Sequence, residues 1–173
     1  MIHYTQDGIR WHLQEDMEAL LQPLLAGKGR VVKESPAKLV SVVEVGGRTF
    51  YVKRYRHSAV PLRPLKFFFK RSQAHAEWEV ARRLESLGIP AVRHVALGER
   101  WSATGLNESI LITEGFDGVP LDQRSDFVPA AVLAFVERMH QAGVLQADLH
   151  PGNILVGKDP TEMRLVDLHG IDE

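Results

Sequence analysis

Near its C-terminal end the chain carries Ala147-Asp148-Leu149-His150-Pro151-Gly152-Asn153, then the aliphatic run Ile154-Leu155-Val156, and later Val166-Asp167 closing a second apolar run. This stretch constrains the fold more than any other. Pro151 and Gly152 enforce a turn, the aliphatic triplet asks for a buried strand, and Gly157-Lys158-Asp159-Pro160 supplies the reversal that returns residues 163–166 beside 154–156. Such a hairpin sets Asn153 and Asp167 at neighbouring strand ends. Two hard oxygen donors so placed suit a divalent cation of the magnesium kind, with water and phosphate oxygens completing the shell. Asp148 lies outside that shell, free to orient a hydroxyl. Asp, Pro, Gly and Asn are each ordinary turn residues; it is their joint spacing with a returning aspartate that points to magnesium and phosphate chemistry.

The chain that carries this cluster has 173 residues and 45% apolar content, enough for one domain or two small lobes. Its 21 basic and 22 acidic residues sum to a net charge of -1, so the global positive charge of a dedicated nucleic-acid binder is missing and no nucleic-acid partner is expected. Absence of cysteine excludes disulfides, thiol nucleophiles and zinc–thiolate sites. Asp7, Glu15 and Asp16 stand where a signal peptide would be apolar, and no uncharged run reaches the roughly 18 residues a membrane span needs, so a soluble, cytoplasmic protein is expected.

Charge is nevertheless segregated. No acidic residue occurs from Val45 to Ala76, a stretch that holds Arg48, Lys53, Arg54, Arg56, Arg63, Lys66, Lys70 and Arg71. Within it, residues 60–71 interleave Phe67, Phe68 and Phe69 with cations. That composition suits a solvated loop anchored by its phenylalanines, or peripheral contact with an anionic lipid surface at the inner face of the membrane, or a phosphorylated substrate.

Periodicity predicts an N-terminal helix over residues 14–25, with Gly27-Lys28-Gly29 as its stop. Residues 30–34, 39–45 and 48–55 read as antiparallel strands, the last two joined by the Gly46-Gly47 turn. A helix over 72–87 ends at Gly88, strands follow at 92–97 and 109–113, residues 120–124 read as loop, and Pro129–Gln141 reads as a helix.

With these elements in order, the chain resembles the protein-kinase-like superfamily, whose signature is a catalytic Asp, an Asn five residues on, and a metal Asp after the next hairpin. The resemblance implies an α+β, two-lobed fold. Residues 1–116 would form the N-terminal helix, an antiparallel-sheet N-lobe with one main helix, and the hinge; residues 117–173 would form a reduced, mainly helical C-lobe with the catalytic loop and metal hairpin. It implies ATP and Mg2+, with Asp148 as catalytic residue and Asn153 and Asp167 on the metal. Tyr51-Val52-Lys53 stands where the strand lysine that contacts the nucleotide phosphates belongs, and a helical glutamate should hold it. Glu77 shares a helix face with Val80, Ala81, Leu84 and Leu87, whereas Glu79 falls with Arg82, Arg83 and Ser86, so helix geometry selects Glu77. Residues 110–116 are similar to the strand-to-hinge segment on which adenine docks through backbone groups near Glu114 and Phe116. His140 would be a buttress of the helix that leads into the catalytic loop.

Within the superfamily, Ala147–Asn153 is closer to small-molecule and atypical kinases than to eukaryotic protein kinases, and residues 76–90, residues 51–55 and the basic segment between them are similar to the bacterial lipopolysaccharide core kinases that phosphorylate heptose or Kdo sugars, a resemblance that covers roughly residues 30–172. This implies an ATP-dependent phosphotransferase with a hydroxyl-bearing acceptor, such as a glycolipid. An atypical protein Ser/Thr kinase, an aminoglycoside-like small-molecule kinase and a pseudokinase scaffold are the alternatives. The phosphate-covering turn, Glu34-Ser35-Pro36-Ala37-Lys38, has no glycine, and Lys38 is expected to substitute by charge. Gln146-Ala147 stands where a His-Arg pair is usual, the metal motif reads Asp167-Leu168-His169-Gly170, and only six residues follow Asp167, so an abbreviated C-lobe is expected.

Overall fold

Alternating apolar and polar positions build most of the N-terminal half into one antiparallel sheet of seven strands. In this computed structural model, residues 1–14, 17–26, 29–59, 63–146, 149–168 and 171–172 are described. The strands are β1 (Ile2–Gln6), β2 (Ile9–Leu13), β3 (Arg30–Glu34), β4 (Lys38–Val45), β5 (Arg48–Arg56), β6 (His94–Ser102) and β7 (Gly105–Glu114), in the order β1-β2-β6-β7-β5-β4-β3. Helix α1 (Glu18–Ala26) follows β2, and α2 (Gln73–Ser86) lies between β5 and β6 in the chain.

The period of two along each strand sorts side chains to opposite faces of this sheet. Phe50 and Val52 of β5 and Ile110 and Ile112 of β7 join Met17, Leu21 and Leu24 in one core cluster. Tyr55 and Leu111, of opposite parity, instead meet Ala74 and Trp78 from the start of α2. Both faces are therefore covered, one by α1 and its approach, the other by α2.

The chain divides into two compact units, one of Met1–Trp78 with Arg93–Gly115 and one of Glu79–Val92 with Phe116–Glu173. The division falls inside α2. The second unit holds α3 (Pro129–Gln141) and the short strands β8 (Val119–Pro120), β9 (Leu145–Gln146), β10 (Ile154–Val156), β11 (Met163–Leu165) and β12 (Ile171–Asp172). Phe135 and Met139 of α3 pack with Leu84, Ile89, Ile154, Val156, Met163 and Leu165 in its core. Residues after α2 are tied to the hairpin by Val92 N–H to Leu165 O (2.9 Å) and Leu165 N–H to Pro90 O (3.0 Å).

Several elements differ from the sequence expectation. Residues 9–13 are strand, so α1 begins at Glu18 rather than at residue 14. Its expected stop at Gly27-Lys28 lies outside the described residues. The β1–β2 hairpin turns on Asp7-Gly8, both at positive φ (53° and 73°), an Asp-Gly hairpin turn. Strands expected at 92–97 and 109–113 belong to the ends, away from the turn, of a longer hairpin that begins at His94 and turns at residues 103–104. Residues 120–124, expected as loop, begin at the end of β8 and continue as a 3-10 turn, Leu121–Gln123.

The N-terminal hairpin is bound into the sheet through β6, where Trp11 stands opposite Gly98. A Cβ added at Gly98 would lie 2.6 Å from the Trp11 ring. Gly98→Ala is therefore expected to overpack this contact by about 1–3 kcal/mol and to lower the melting temperature measured by circular dichroism. An unchanged melt would mean that Trp11 is not seated on β6.

Candidate active site

Lys53 is placed by β5, which pairs with β4 on one side and β7 on the other. Because Phe50 and Val52 face α1, Lys53 and Tyr55 share the opposite face, that of α2. Ala74 and Trp78 seat α2 against this face, and the same helical stripe presents Glu77, only 1% exposed. Lys53 Nζ donates to Glu77 Oε2 at 3.1 Å, and Tyr55 Oη donates to Glu77 Oε1 at 3.2 Å. Each carboxylate oxygen thus has a donor, which is what allows an ionised group to be buried here. Glu79, two residues on, is half-buried.

Lys38 reaches the same cluster from the glycine-less turn. Ser35 closes that turn through its backbone N–H to Lys38 O (2.8 Å) and by accepting the Lys38 N–H on Oγ (3.0 Å). Lys38 stands opposite Tyr55 in the β4–β5 register, with Nζ 5.0 Å from the ring centroid, a cation–π distance. Tyr55 was not singled out from the sequence. Its position two residues beyond Lys53 on a strand, hence on the same face, was the available signal.

Glu114 ends β7 in a network that the sequence did not announce. Arg48 Nε donates to its Oε1 (2.8 Å) and Arg93 Nη1 to its Oε2 (3.3 Å), while Arg93 Nε and Nη2 donate to Gln14 Oε1 (3.1 and 2.6 Å). The Arg48 hydrogen bond holds the Glu114 carboxyl below the usual carboxylate range; partial burial opposes this, and the Arg48 charge and Arg93 add to it. The Glu114 N–H is taken by Arg93 O (2.8 Å), and in the second unit Phe116 O accepts the Gly118 N–H (2.9 Å). Phe116 also carries the Arg164 guanidinium over its ring at 4.4 Å.

In the second unit the 3-10 turn Pro151–Asn153 is capped by His150, whose Nδ1 accepts the Gly152 N–H at 3.1 Å. Asn153, 6% exposed, follows, and β10 pairs with β11 as Ile154↔Leu165. One step beyond that pair, Val166 N–H donates to Asn153 O (3.0 Å), so Asn153 and Asp167 stand at neighbouring strand ends. Asp167 is half-buried and adopts φ of 53°, left-handed backbone that aspartate tolerates better than most residues. Asp148 lies outside the described residues, as do Ala147, His169 and Gly170. His140 is exposed, which does not fit a buttressing role.

The chain matches the model of the lipopolysaccharide kinase (Kdo/WaaP) family over residues 24–171. It belongs to this family. It is similar to the lipopolysaccharide core heptose(I) kinase WaaP of Pseudomonas aeruginosa, 26% identical over 182 residues, covering 92% of this chain and 66% of that protein. A solved structure of WaaP in complex with acyl carrier protein is similar with a TM-score of 0.65 and 26% identity, covering 94% of this chain and 72% of that one. The chain thus spans just under two thirds of the length of the curated relative, and its fold is kinase-like. Lys38, Lys53, Glu77, Glu114, Phe116, Asp148, Asn153 and Asp167 all fall within the segment matched to the Kdo/WaaP family, whereas β1 and β2 precede it.

The depressed Glu114 titration has a defined consequence. A carboxyl whose pKa is lowered by folding stabilises the folded state above its unfolded pKa, about 4.3, and that contribution is lost as pH falls through the folded value. Urea titrations of the wild type and Glu114→Gln should therefore differ in stability at neutral pH, by roughly 1 kcal/mol for a pair this accessible, and converge in acid. A difference that persisted unchanged into acid would contradict the Arg48–Glu114–Arg93 network.

Proposed function

We propose that this chain transfers the γ-phosphoryl group of ATP to a hydroxyl of a lipopolysaccharide core sugar at the cytoplasmic face of the membrane. The name of the curated relative supports a heptose as the acceptor, and the description of the family makes Kdo the alternative. The observation that carries the reading is the Lys53–Glu77 contact at 3.1 Å with Glu77 buried, in a chain of the lipopolysaccharide kinase family. No described helix is long and apolar enough to cross a membrane.

Each residue has a task in this reaction. Lys53, held by Glu77, whose other oxygen is held by Tyr55, binds the nucleotide phosphates; Lys38 adds positive charge where the turn lacks glycine amides; backbone groups near Glu114 and Phe116 take adenine. Asn153 and Asp167 fit magnesium, being oxygen donors at joined strand ends. Among the described residues no group of three or more His, Cys, Asp or Glu forms an alternative metal cage. Few protein ligands, completed by phosphate and water, is the habit of that ion. Bound there, magnesium would neutralise charge on the phosphate oxygens. Asp148 orients the acceptor hydroxyl and accepts its proton late, so catalysis rests on positioning and charge rather than on a covalent intermediate.

A second reading, a scaffold that does not transfer phosphate, is favoured by the glycine-less residues 34–38 alone. Acyl carrier protein is a further expected partner, because the similar WaaP structure was solved with it. Radiolabelled ATP with purified lipopolysaccharide core should give a magnesium-dependent phosphorylated product. Asp148→Asn should slow this reaction by about 10² to 10⁴-fold, the usual reach of a general base. Product only with aminoglycoside or protein acceptors would reassign the substrate, no product with any acceptor would favour the scaffold, and parental rates in Asp148→Asn would remove that residue from catalysis.

A further inference from the structure

We propose that the 3-10 segment Arg63–Phe68, together with Phe69 and Lys70, is a membrane-seating surface that inserts its aromatic tip into an anionic lipid bilayer. Membrane seating of this kind is separate from phosphotransfer and needs no ATP. Leu65, Phe68 and Phe69 are 43%, 52% and 95% exposed, a concentration of apolar surface that a solvated loop does not need. Lys66 and Lys70, both exposed, flank this tip, and Arg71 follows. Since no acidic residue occurs from Val45 to Ala76, the surrounding charge is of one sign within this stretch of sequence.

The tip is held outward by its anchors rather than left to collapse. Phe67 is buried and packs on His57 with ring centroids 4.3 Å apart, and Lys66 Nζ sits 4.9 Å over the Phe67 ring. Pro64 is fixed from the β6–β7 turn, where Gly105, at φ of 113°, leaves room for the Pro64 carbonyl; a Cβ there would stand 2.1 Å from that oxygen. With Pro64 and Phe67 directed inward, Leu65, Phe68 and Phe69 project. Phe68 leans toward Trp101 at 5.9 Å, and a cavity of about 290 Å³ opens beside them, lined also by Lys70, His75 and Glu99. Glu99 does not offset the basic rim, being 8% exposed and bonded by Ser72 (3.3 Å), His75 (3.4 Å) and Trp101 (3.4 Å). Aromatic side chains amid cations are the combination that binds the lipid interface by apolar insertion and attraction to anionic headgroups together.

Co-sedimentation with vesicles of phosphatidylcholine alone, or with phosphatidylglycerol added, tests this directly. The wild type should partition to the anionic vesicles more strongly, and Lys66→Gln/Lys70→Gln should lose on the order of thirty-fold of that partition, about fivefold per cation. Phe69→Ser should weaken binding by roughly tenfold or more, the loss of an inserted aromatic, with an unchanged thermal melt because the side chain is almost fully exposed. Equal sedimentation with both lipids would overturn the proposal, as would wild-type partition in both variants. So would loss of acyl carrier protein binding in these variants when the wild type binds neither vesicle, which would assign the surface to a protein partner.

Discussion

The buried Glu77 carboxylate is the constraint on which the first unit is organised. Taking such a group out of water costs several kcal/mol, and here the cost is met by Lys53 on one oxygen and Tyr55 on the other. Both donors come from the same face of β5, so the strand register and the seating of α2 must be right together. Phe50 and Val52 fix which face of β5 is apolar toward α1, and Ala74 and Trp78 fix the rotation of α2. A shift of one residue would put Val52 or Arg54 in place of Lys53, or Ala76 or Trp78 in place of Glu77, and break the pair. Since apolar replacements of buried ion pairs are often neutral or stabilising, the arrangement is better understood as one that aims an ammonium than as one that strengthens the core.

The second unit uses a different device. Its polar residues Asn153 and Asp167 are set at the ends of a short hairpin, where the Val166 N–H to Asn153 O bond joins the two strand ends. The left-handed backbone at Asp167 redirects the chain just past β11. Left-handed backbone in non-glycine residues costs of order 1–3 kcal/mol and collects at sites where geometry outweighs stability. The apolar cluster of Phe135, Met139, Ile154 and Leu165 supports it.

Much of this was legible in the letters, and unevenly so. The Asp148–Asn153–Asp167 spacing announced a hairpin because turn residues and an aliphatic triplet admit few other conformations, and helix periodicity alone separated Glu77 from Glu79. Elements with strong punctuation, Gly46-Gly47 and Pro129, were placed closely. The N-terminal hairpin was hidden because Met17, Leu20, Leu21 and Leu24 make a convincing helical stripe that masked the shorter alternation of Ile9, Trp11 and Leu13. The Glu114 network could not be read at all: Arg48, Arg93 and Gln14 are far apart in the chain, and only sheet pairing assembles them. Tyr55 lay between these cases, visible from strand parity once Lys53 was chosen.

The proposed phosphotransfer assigns Lys53 to the phosphate oxygens of ATP and Asp167 to the cation. Isothermal titration with ATP, with and without magnesium, tests it on the wild type, Lys53→Met and Asp167→Asn. Lys53→Met should weaken binding under both conditions, while Asp167→Asn should abolish the gain that magnesium gives the wild type and leave metal-free binding largely intact. Identical isotherms for all three proteins would contradict the account.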